Sequence, residues 1–110
     1  MDSKNALAAF AALSQPTRLD AFRLLIQVGA EGMSAGEIGA RLDVRQNTLS
    51  ANLAVLLNAG LVTNERQGRS IRYFAKMDGL RGLLGFLLED CCGGRKELCQ
   101  PLIDEIACAC

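Results

Sequence analysis

Residues 45–62 decide the fold, and they read Arg45-Gln46-Asn47-Thr48-Leu49-Ser50-Ala51-Asn52-Leu53-Ala54-Val55-Leu56-Leu57-Asn58-Ala59-Gly60-Leu61-Val62. The leucines recur at helical spacing, which predicts one apolar stripe along a helix: Leu49, Leu53, Leu56 and Leu57. The opposite face carries uncharged side chains that donate and accept hydrogen bonds: Gln46, Asn47, Thr48, Ser50 and Asn52. Such side chains suit the reading of base edges, where Asn and Gln match adenine. An ordinary polar solvent face is the alternative, and the neighbouring sequence decides between the two.

The segment after this helix alternates polar and apolar residues, which is typical of strands. Two runs, 61–66 and 70–75, flank Gln67-Gly68-Arg69 and predict a β-hairpin with a glycine turn. With the helix and turn before it, the quoted stretch is interpreted as a helix-turn-helix. A β-hairpin that directly follows a helix-turn-helix is called a wing. Its three arginines are expected to contact phosphates, which adds affinity without sequence information: Arg66, Arg69 and Arg72. A solvated hairpin surface is the alternative for them.

The segments before the quoted stretch predict three helices. An alanine-rich helix covers about residues 4–13, and Pro16 fits the first turn of the second helix, which runs to about Val28. A loop follows over residues 29–33. Ser34 and Glu37 are spaced as a capping box for the third helix, residues 35–42. Residues 43–45 form the turn of the helix-turn-helix.

The last predicted helix runs from Gly79, after a cap at Asp78, to about Cys92. It is apolar nearly all round, so it is expected to be buried on more than one side. In so short a chain, a second subunit is the simplest second partner. The fold class is therefore α+β and mostly helical: a homodimeric winged helix-turn-helix with flanking N- and C-terminal helices. Residues 1–110 form one domain, with a DNA-binding core at about 34–76, dimerisation helices at about 4–13 and 79–92, and a cysteine-rich tail at 91–110.

The composition separates a basic middle from an acidic tail. The net charge is zero, but residues 37–76 hold six basic against three acidic residues, and residues 89–110 hold two against five. No stretch approaches the ~20 apolar residues of a membrane span. The apolar run at residues 6–13 is interpreted as a helix of the fold rather than a signal peptide, so the expected location is cytoplasmic.

All five cysteines lie in the last twenty residues, and there is no histidine. Cysteines so clustered cannot staple distant elements as a disulfide framework does. The lack of histidine removes most general-base and Cys–His mechanisms. We see no Cys-x-x-Cys, no phosphate-binding glycine loop and no Cys-x5-Arg either, so the chain is not expected to be an enzyme or to need an organic cofactor.

The order of elements resembles the ArsR-type (arsenical-resistance repressor) family of dimeric winged-helix metalloregulators over roughly residues 5–90. Residues 13–19, LSQPTRL, are like the family's L-x-x-P-T-R-L. Residues 46–62 contain QNTLSxxL and LxxGLV, like its Q-S-T-V-S-H-H-L and L-x-x-A-G-L-V. Gly68-Arg69 leading into Tyr73 is like the E-G-R…Y of its wing.

The resemblance implies a transcriptional repressor that leaves its double-stranded operator when a soft metal ion binds. By position, Gln46, Thr48 and Ser50 would meet the major groove, and Ala51 and Asn52 replace the usual His-His pair. The DNA-binding residues expected from pattern and resemblance together are Arg45, Gln46, Asn47, Thr48, Ser50, Asn52, Arg66, Arg69 and Arg72. The third helix lacks the Cys-x-Cys of many arsenic and cadmium sensors of the family, so a metal site would have to lie in the tail.

The tail offers three cysteines of suitable chemistry: Cys91, Cys92 and Cys99. Adjacent cysteines rarely close a relaxed disulfide. Two neighbouring thiols and a third, brought back by a turn at Gly93-Gly94, suit arsenite or antimonite, which bind three thiolates. Trivalent arsenic, or antimony, is therefore the expected inducer. Cys108 and Cys110 could add a ligand for cadmium or zinc, or remain idle.

Two other interpretations remain open at this stage. The cysteines could form a redox or persulfide switch, in which a pair such as Cys92 and Cys99 closes a disulfide. The winged helix could also bind only protein, which the basic wing argues against.

Overall fold

A computed structural model describes residues 1–89 and 96–107. Within these ranges the α-helices are Ser3–Leu13 (α1), Pro16–Val28 (α2), Ala35–Leu42 (α3), Gln46–Asn58 (α4), Met77–Leu87 (α5) and Lys96–Ala107 (α6). The strands are Met33–Ser34 (β1), Val62–Gln67 (β2) and Ser70–Ala75 (β3). They form an antiparallel sheet with β3 in the centre. The predicted mostly helical winged helix-turn-helix is confirmed. The expected loop at 29–33 instead holds a short 3-10 helix, Gly29–Glu31, and the first residue of β1.

The core lies where α2, α3 and α4 meet the base of the hairpin. Its largest fully buried side chains come from each of these elements and from the residue before β2: Leu25, Ile38, Leu49, Leu53, Leu56 and Leu61. Burying one such side chain stabilises the fold by about 1.5–3 kcal/mol. The leucine stripe of the quoted stretch thus anchors α4 from below, while Leu57 is only half-buried. This leaves the opposite face of α4 for other contacts.

The turn between α3 and α4 is fixed by local hydrogen bonds. The predicted capping box is confirmed: the Glu37 N–H donates to the Ser34 hydroxyl at 3.2 Å, and the Ser34 N–H donates to the Glu37 carboxylate at 3.1 Å. At the other end, Asp43 adopts a left-handed conformation with φ 54°, and the Val44 N–H donates to the Gly39 carbonyl at 3.0 Å. A short polar residue tolerates this conformation better than most. The chain therefore reverses tightly from α3 into α4.

α1 packs through alanines, and its larger apolar residues face outward. Ala6, Ala9 and Ala12 are buried, whereas Leu7 and Phe10 are exposed. Alanines let the α1 backbone approach the rest of the fold closely. Among residues 1–89 and 96–107, an apolar face of α1 is consequently left exposed.

α5 differs at both ends from the predicted helix. It begins at Met77 with Lys76 as N-cap, so Asp78 lies in the first turn, where it accepts a hydrogen bond from Arg81 at 2.8 Å. It ends at Leu87, and the N–H of the C-cap residue Leu88 donates to the Leu84 carbonyl. The helix expected over 79–92 thus begins two residues earlier and ends at Leu87, while residues 90–92 of that prediction lie outside the described residues.

α6 was not predicted, because the cysteines led to an interpretation of residues 95–98 as a flexible loop. The helix begins at Lys96, with the acidic Glu97 in its first turn. Leu102 and Ile106 are spaced by four residues, as one face of a helix requires, and both are exposed. In the described ranges, no helix is both long and apolar enough to cross a membrane.

Candidate nucleic-acid interface and thiol cluster

The outward face of α4 presents a polar surface at the start of the helix. Arg45 is the N-cap residue, and its side chain makes no capping bond. Asn47, Thr48 and Ser50 are exposed, as predicted for side chains that meet DNA. The amide oxygen of Asn47 accepts a hydrogen bond from the Thr48 N–H at 2.9 Å. The first turn of α4 therefore offers a cation, hydroxyls and an amide on one surface.

Gln46 is exposed but is held against α3. Its Nε2 donates to the Ala35 carbonyl at 3.1 Å, and the side chain lies over Gly39, where an added Cβ would collide with it. Part of the hydrogen-bonding capacity of Gln46 is thus used to fix the start of α4. It is a structural residue of the turn as well as a candidate for base contact.

Asn52 does not belong to the DNA-facing surface, which corrects the prediction. It is only 9% exposed, and its Oδ1 accepts a hydrogen bond from Arg18 Nη1 at 3.1 Å. The reason is helical geometry: position 52 follows Leu49 by three residues and precedes Leu56 by four, so it lies on the leucine stripe. The polarity of the side chain outweighed this spacing in the sequence interpretation.

The hairpin turn carries two exposed arginines. Arg66 lies on β2, opposite Ile71, and Arg69 lies in the turn beside Gly68, which has φ 65°. Arg66 and Arg69 are both exposed. Both lie near the tip of the wing, and their contact with phosphates stays a prediction.

Arg72 is committed to the protein, which corrects its predicted role in phosphate binding. Its Nε donates to the Glu31 carbonyl at 2.6 Å and its Nη2 to the Gly32 carbonyl at 3.3 Å. Its Nη1 forms a salt bridge with Glu37 at 3.2 Å, and its side chain is 29% exposed. Arg72 therefore fastens the wing to the start of α3. Its partners lie 35–41 residues away in sequence, so no local pattern indicates them.

Glu37 interacts both with Ser34 at the start of α3 and with Arg72 on the wing. The backbone N–H and hydroxyl of Ser34, together with the Arg72 guanidinium, lower the pKa of the Glu37 carboxyl below its usual value. These donors favour the charged form because they bind the carboxylate directly. The same carboxylate thus takes part in the capping box and in the salt bridge with Arg72.

The predicted thiol site lies mostly beyond the described residues. Cys91 and Cys92, and also Cys108 and Cys110, are outside them. Cys99 is the fourth residue of α6, on its backbone at the N-terminal turn, and its side chain is outside what is described. Among the described residues, no group of three or more His, Cys, Asp or Glu side chains is arranged to hold a metal ion.

Comparison with known proteins shows the family. A "Helix-turn-helix domain" model matches residues 13–65. The biofilm growth-associated repressor of Agrobacterium fabrum (strain C58) is 37% identical over 87 residues, covering 78% of this chain and 71% of that protein. An ArsR-like transcriptional regulator from Rhodococcus sp. RHA1 has the same fold with a TM-score of 0.68 and 29% identity, covering 97% of this chain and 94% of the other. The chain belongs to the ArsR family.

Members of the ArsR family are DNA-binding transcriptional regulators and not enzymes, which confirms the expectation that this chain has no catalytic activity. The transcriptional repressor BigR from Xylella fastidiosa is also similar, with a TM-score of 0.62 and 26% identity, covering 76% of this chain and 83% of that one. The helix-turn-helix and the wing of this chain are thus elements of an ArsR-family fold.

Sequence reasoning missed one residue that supports α4 from inside the protein. Arg18 was quoted only as part of a motif, yet its guanidinium bonds Asn52 and two carbonyls of α1. The available sequence signals were an arginine shortly after Pro16 and an asparagine on an apolar stripe. Each is a polar group where the pattern calls for an apolar one.

Proposed function

We propose that this ArsR-family regulator is a cytoplasmic, homodimeric repressor that leaves its operator DNA when trivalent arsenic binds to Cys91, Cys92 and Cys99. Antimonite, which has the same coordination chemistry, would act at the same site. The observation that carries the proposal is that all five cysteines follow α5 in the sequence, two before α6, one within it and two after it. No organic cofactor is required.

Operator binding is supported by the surface at the start of α4 and the tip of the wing. Asn47, Thr48 and Ser50 would meet base edges in the major groove. Arg45, Arg66 and Arg69 would neutralise phosphates on either side and make the affinity depend strongly on salt. With Asn52 and Arg72 engaged inside the protein, base reading depends on the first two turns of α4.

The dimer is supported by two apolar strips that the described part of one chain leaves exposed. On α1, Leu7 is 68% exposed and Phe10 40%. On α5, Leu84 is 41% exposed and Leu87 53%. α1 and α5 are in contact with each other, so the two strips can form one continuous surface, named here the apolar seam. A second copy of the chain covering this seam would place two α4 helices on one DNA face, as symmetric operators require.

The thiol site is supported by its position relative to the seam. The described part of α5 ends at Leu87, four residues before Cys91, and Cys99 lies in the first turn of α6. Thiolates are the form in which cysteines bind soft metal ions. Arg95 and Lys96 add positive charge next to this turn in the sequence. The donor set therefore suits a soft ion that binds three sulfurs.

The start of α5 offers a route from the thiol site to the DNA-binding face. An added Cβ on Gly79 would collide with the Gly60 carbonyl and lie 3.2 Å from its carbon, so the start of α5 packs directly on the chain that leaves α4. Binding at the far end of α5 would shift that helix in the seam. The shift would reach α4 through this contact and change the separation of the two α4 helices.

Fluorescence anisotropy tests the proposal with reduced protein, a labelled duplex from the DNA upstream of its own gene, and titrated sodium arsenite. Release of the duplex near stoichiometric arsenite is expected for the natural protein. Cys91→Ser, Cys92→Ser and Cys99→Ser should each bind DNA normally and resist release. Cys108→Ser and Cys110→Ser are the matched controls, because they remove thiols from outside the proposed trio.

Three outcomes would contradict the arsenic assignment. Arsenite could leave DNA binding unchanged, the control variants could respond as the trio does, or cadmium or zinc could release the DNA at lower concentration than arsenite. The last outcome would indicate a four-ligand site that includes Cys108 or Cys110.

A second candidate is a thiol redox or persulfide switch. The observation that favours it is the same clustering of cysteines, in which two thiols such as Cys92 and Cys99 can be joined by oxidation. In the same assay, release by hydrogen peroxide or polysulfide but not by arsenite would select this candidate. Mass spectrometry would then identify a Cys92–Cys99 disulfide or a sulfur-bridged pair.

A further inference from the structure

Arg18 connects the end of α1 to the middle of α4. Its Nε donates to the Ala12 carbonyl at 2.6 Å and its Nη2 to the Ala11 carbonyl at 3.4 Å. Its Nη1 donates to Asn52 Oδ1 at 3.1 Å. Ala11 and Ala12 belong to the last turn of α1, where the Ala11 carbonyl also accepts from the N–H and the hydroxyl of the C-cap residue Ser14. One guanidinium therefore joins the helix that carries part of the apolar seam to the helix that faces DNA.

Asn52 is a polar group built into an otherwise apolar stripe. It is the one buried polar side chain in the part of the chain that the structure describes, and it lies among Leu49, Leu53 and Leu56. Burying an amide is costly unless it is hydrogen-bonded. No buried side-chain nitrogen or oxygen of the described residues lacks a partner. The bond to Arg18 is thus what makes an amide at this position tolerable.

Small side chains make up most of the surface between α1 and α4. A groove of about 390 Å³ lies between them, lined mostly by small side chains: Ala8, Ala11, Ala12, Arg18, Val55, Asn58 and Ala59. Large side chains that interdigitate fix the angle between two helices, and alanines do so less. Hydrogen bonds are directional. The bond between Arg18 and Asn52 is therefore the contact best placed to set this angle.

We infer that Arg18 and Asn52 are positioning residues that set the orientation of α4 on α1, and thereby the operator half-site spacing that the dimer accepts. The inference rests on the proposed dimeric, DNA-binding function. In a symmetric dimer, a rotation of α4 relative to the seam is repeated in the partner. Each additional base pair moves the half-sites about 3.4 Å apart, so a small change in the angle alters which spacing is bound best.

The test measures spacing preference with reduced, metal-free protein. A duplex selected from a random pool by the natural protein is resynthesised with one base pair added or removed between its half-sites. Dissociation constants are measured on the three duplexes for the natural protein, Asn52→Ala and Asn52→Asp. Asn52→Asp keeps an oxygen acceptor for Arg18 and is the matched control.

Asn52→Ala is expected to lower the ratio of affinities between the preferred and altered spacings by about threefold or more, the equivalent of one lost hydrogen bond. Asn52→Asp should keep the ratio of the natural protein. A uniform loss of affinity on all three duplexes in Asn52→Ala, or an unchanged ratio, would overturn the inference, because a merely structural role affects every spacing equally.

Two arrangements keep the result decisive. If Asn52→Ala does not fold, Asn52→Ser is measured in its place, because its side chain is too short to reach Arg18. Arg18→Lys tests the same bond from the other side. The spacing assay contains no arsenite, so an unchanged spacing ratio contradicts the positioning role alone. Failure of arsenite to release DNA in the anisotropy assay contradicts the inducer assignment alone.

Discussion

The DNA-binding half and the C-terminal half of the chain are held together in different ways. In the first half, side-chain hydrogen bonds join residues far apart in sequence: Arg18 reaches Asn52 across 34 residues, and Arg72 reaches Glu37 across 35. In the second half, bonds such as Arg81–Asp78 and Gln100–Asp104 join neighbours on one helix, three and four residues apart. The first half is thus fastened by specific long-range bonds.

The described part of the second half also carries exposed apolar residues. Five of them lie on α5 and α6: Met77, Leu84, Leu87, Leu102 and Ile106. Exposed apolar side chains one helical turn apart, such as Leu84 and Leu87 on α5, favour an interaction site in a globular protein. One chain is therefore sufficient to form the surface proposed to contact DNA. The surface proposed to respond to the inducer requires a second copy of the chain and an ion bound to the cysteine thiols. Four predictions test this division, beginning with the largest effect.

The first prediction breaks the apolar seam. Leu84→Glu places a charge on the surface proposed to contact the partner, so we expect a monomer at micromolar concentration. Because linked half-sites strengthen each other by 10² or more, operator affinity should fall on the order of 100-fold. Analytical ultracentrifugation and fluorescence anisotropy measure the two effects.

Leu19→Glu is the control for the seam, because Leu19 on α2 has the same 41% exposure as Leu84 and lies outside the seam. It should remain dimeric and bind DNA. A dimeric Leu84→Glu, or equal losses in the two variants, would show that the seam is not the dimer interface.

The second prediction concerns the contact between the halves. Gly79→Ala adds a Cβ against the Gly60 carbonyl and is expected to destabilise the protein by about 1–3 kcal/mol, as overpacking does. Gly85→Ala, six residues later on α5, meets no atom within 4 Å and should stabilise the helix by up to about 1 kcal/mol. Urea unfolding of both variants checks the signs. Equal effects would mean that α5 does not press on the end of α4.

The helix-turn-helix and the wing could be predicted because their patterns are local. The leucine spacing of α4, the capping box at Ser34 and the alternation around Gly68 each depend on neighbours within a few residues. The roles of Arg72 and Arg18 could not be predicted in the same way. Their partners are backbone carbonyls and side chains brought together only by the folded chain, and an arginine on a hairpin has the same local pattern whether it binds phosphate or protein.

The errors at the C-terminal end and at Asn52 had a different cause, since local signals existed. The spacing of Leu102 and Ile106 indicates α6, and the position of Asn52 between Leu49 and Leu56 indicates burial. In each case, residue chemistry was given more weight than periodicity. The thiol site itself, apart from the α6 backbone at Cys99, lies outside the described residues and stays a prediction.

The third prediction separates the two kinds of wing arginine. Arg72→Ala removes the bonds to Glu31, Gly32 and Glu37 and is expected to cost about 1–2 kcal/mol of stability. Arg69→Ala should leave stability within about 0.5 kcal/mol. It should, however, weaken binding to all DNA sequences and reduce the slope of log affinity against log salt by about one. Thermal unfolding and salt titrations distinguish the two. An Arg69→Ala variant with an unchanged salt slope would contradict phosphate contact at the turn.

The last and smallest effect concerns pH at the junction of α3 and the wing. Because Ser34 and Arg72 lower the pKa of Glu37, the charged carboxylate contributes stability above its usual pKa of 4.5, and this contribution is lost as the pH falls through the lowered value. Glu37→Gln should therefore have a lower Tm than the natural protein at pH 6, and the difference should shrink as the pH falls below 4.5. Asp20→Asn, which removes an exposed carboxylate of α2, is the control for general charge effects. Should the Glu37→Gln difference persist unchanged at pH 3, the carboxylate would not be what ties the wing to α3, and the backbone carbonyls that bind Arg72 would suffice to anchor it.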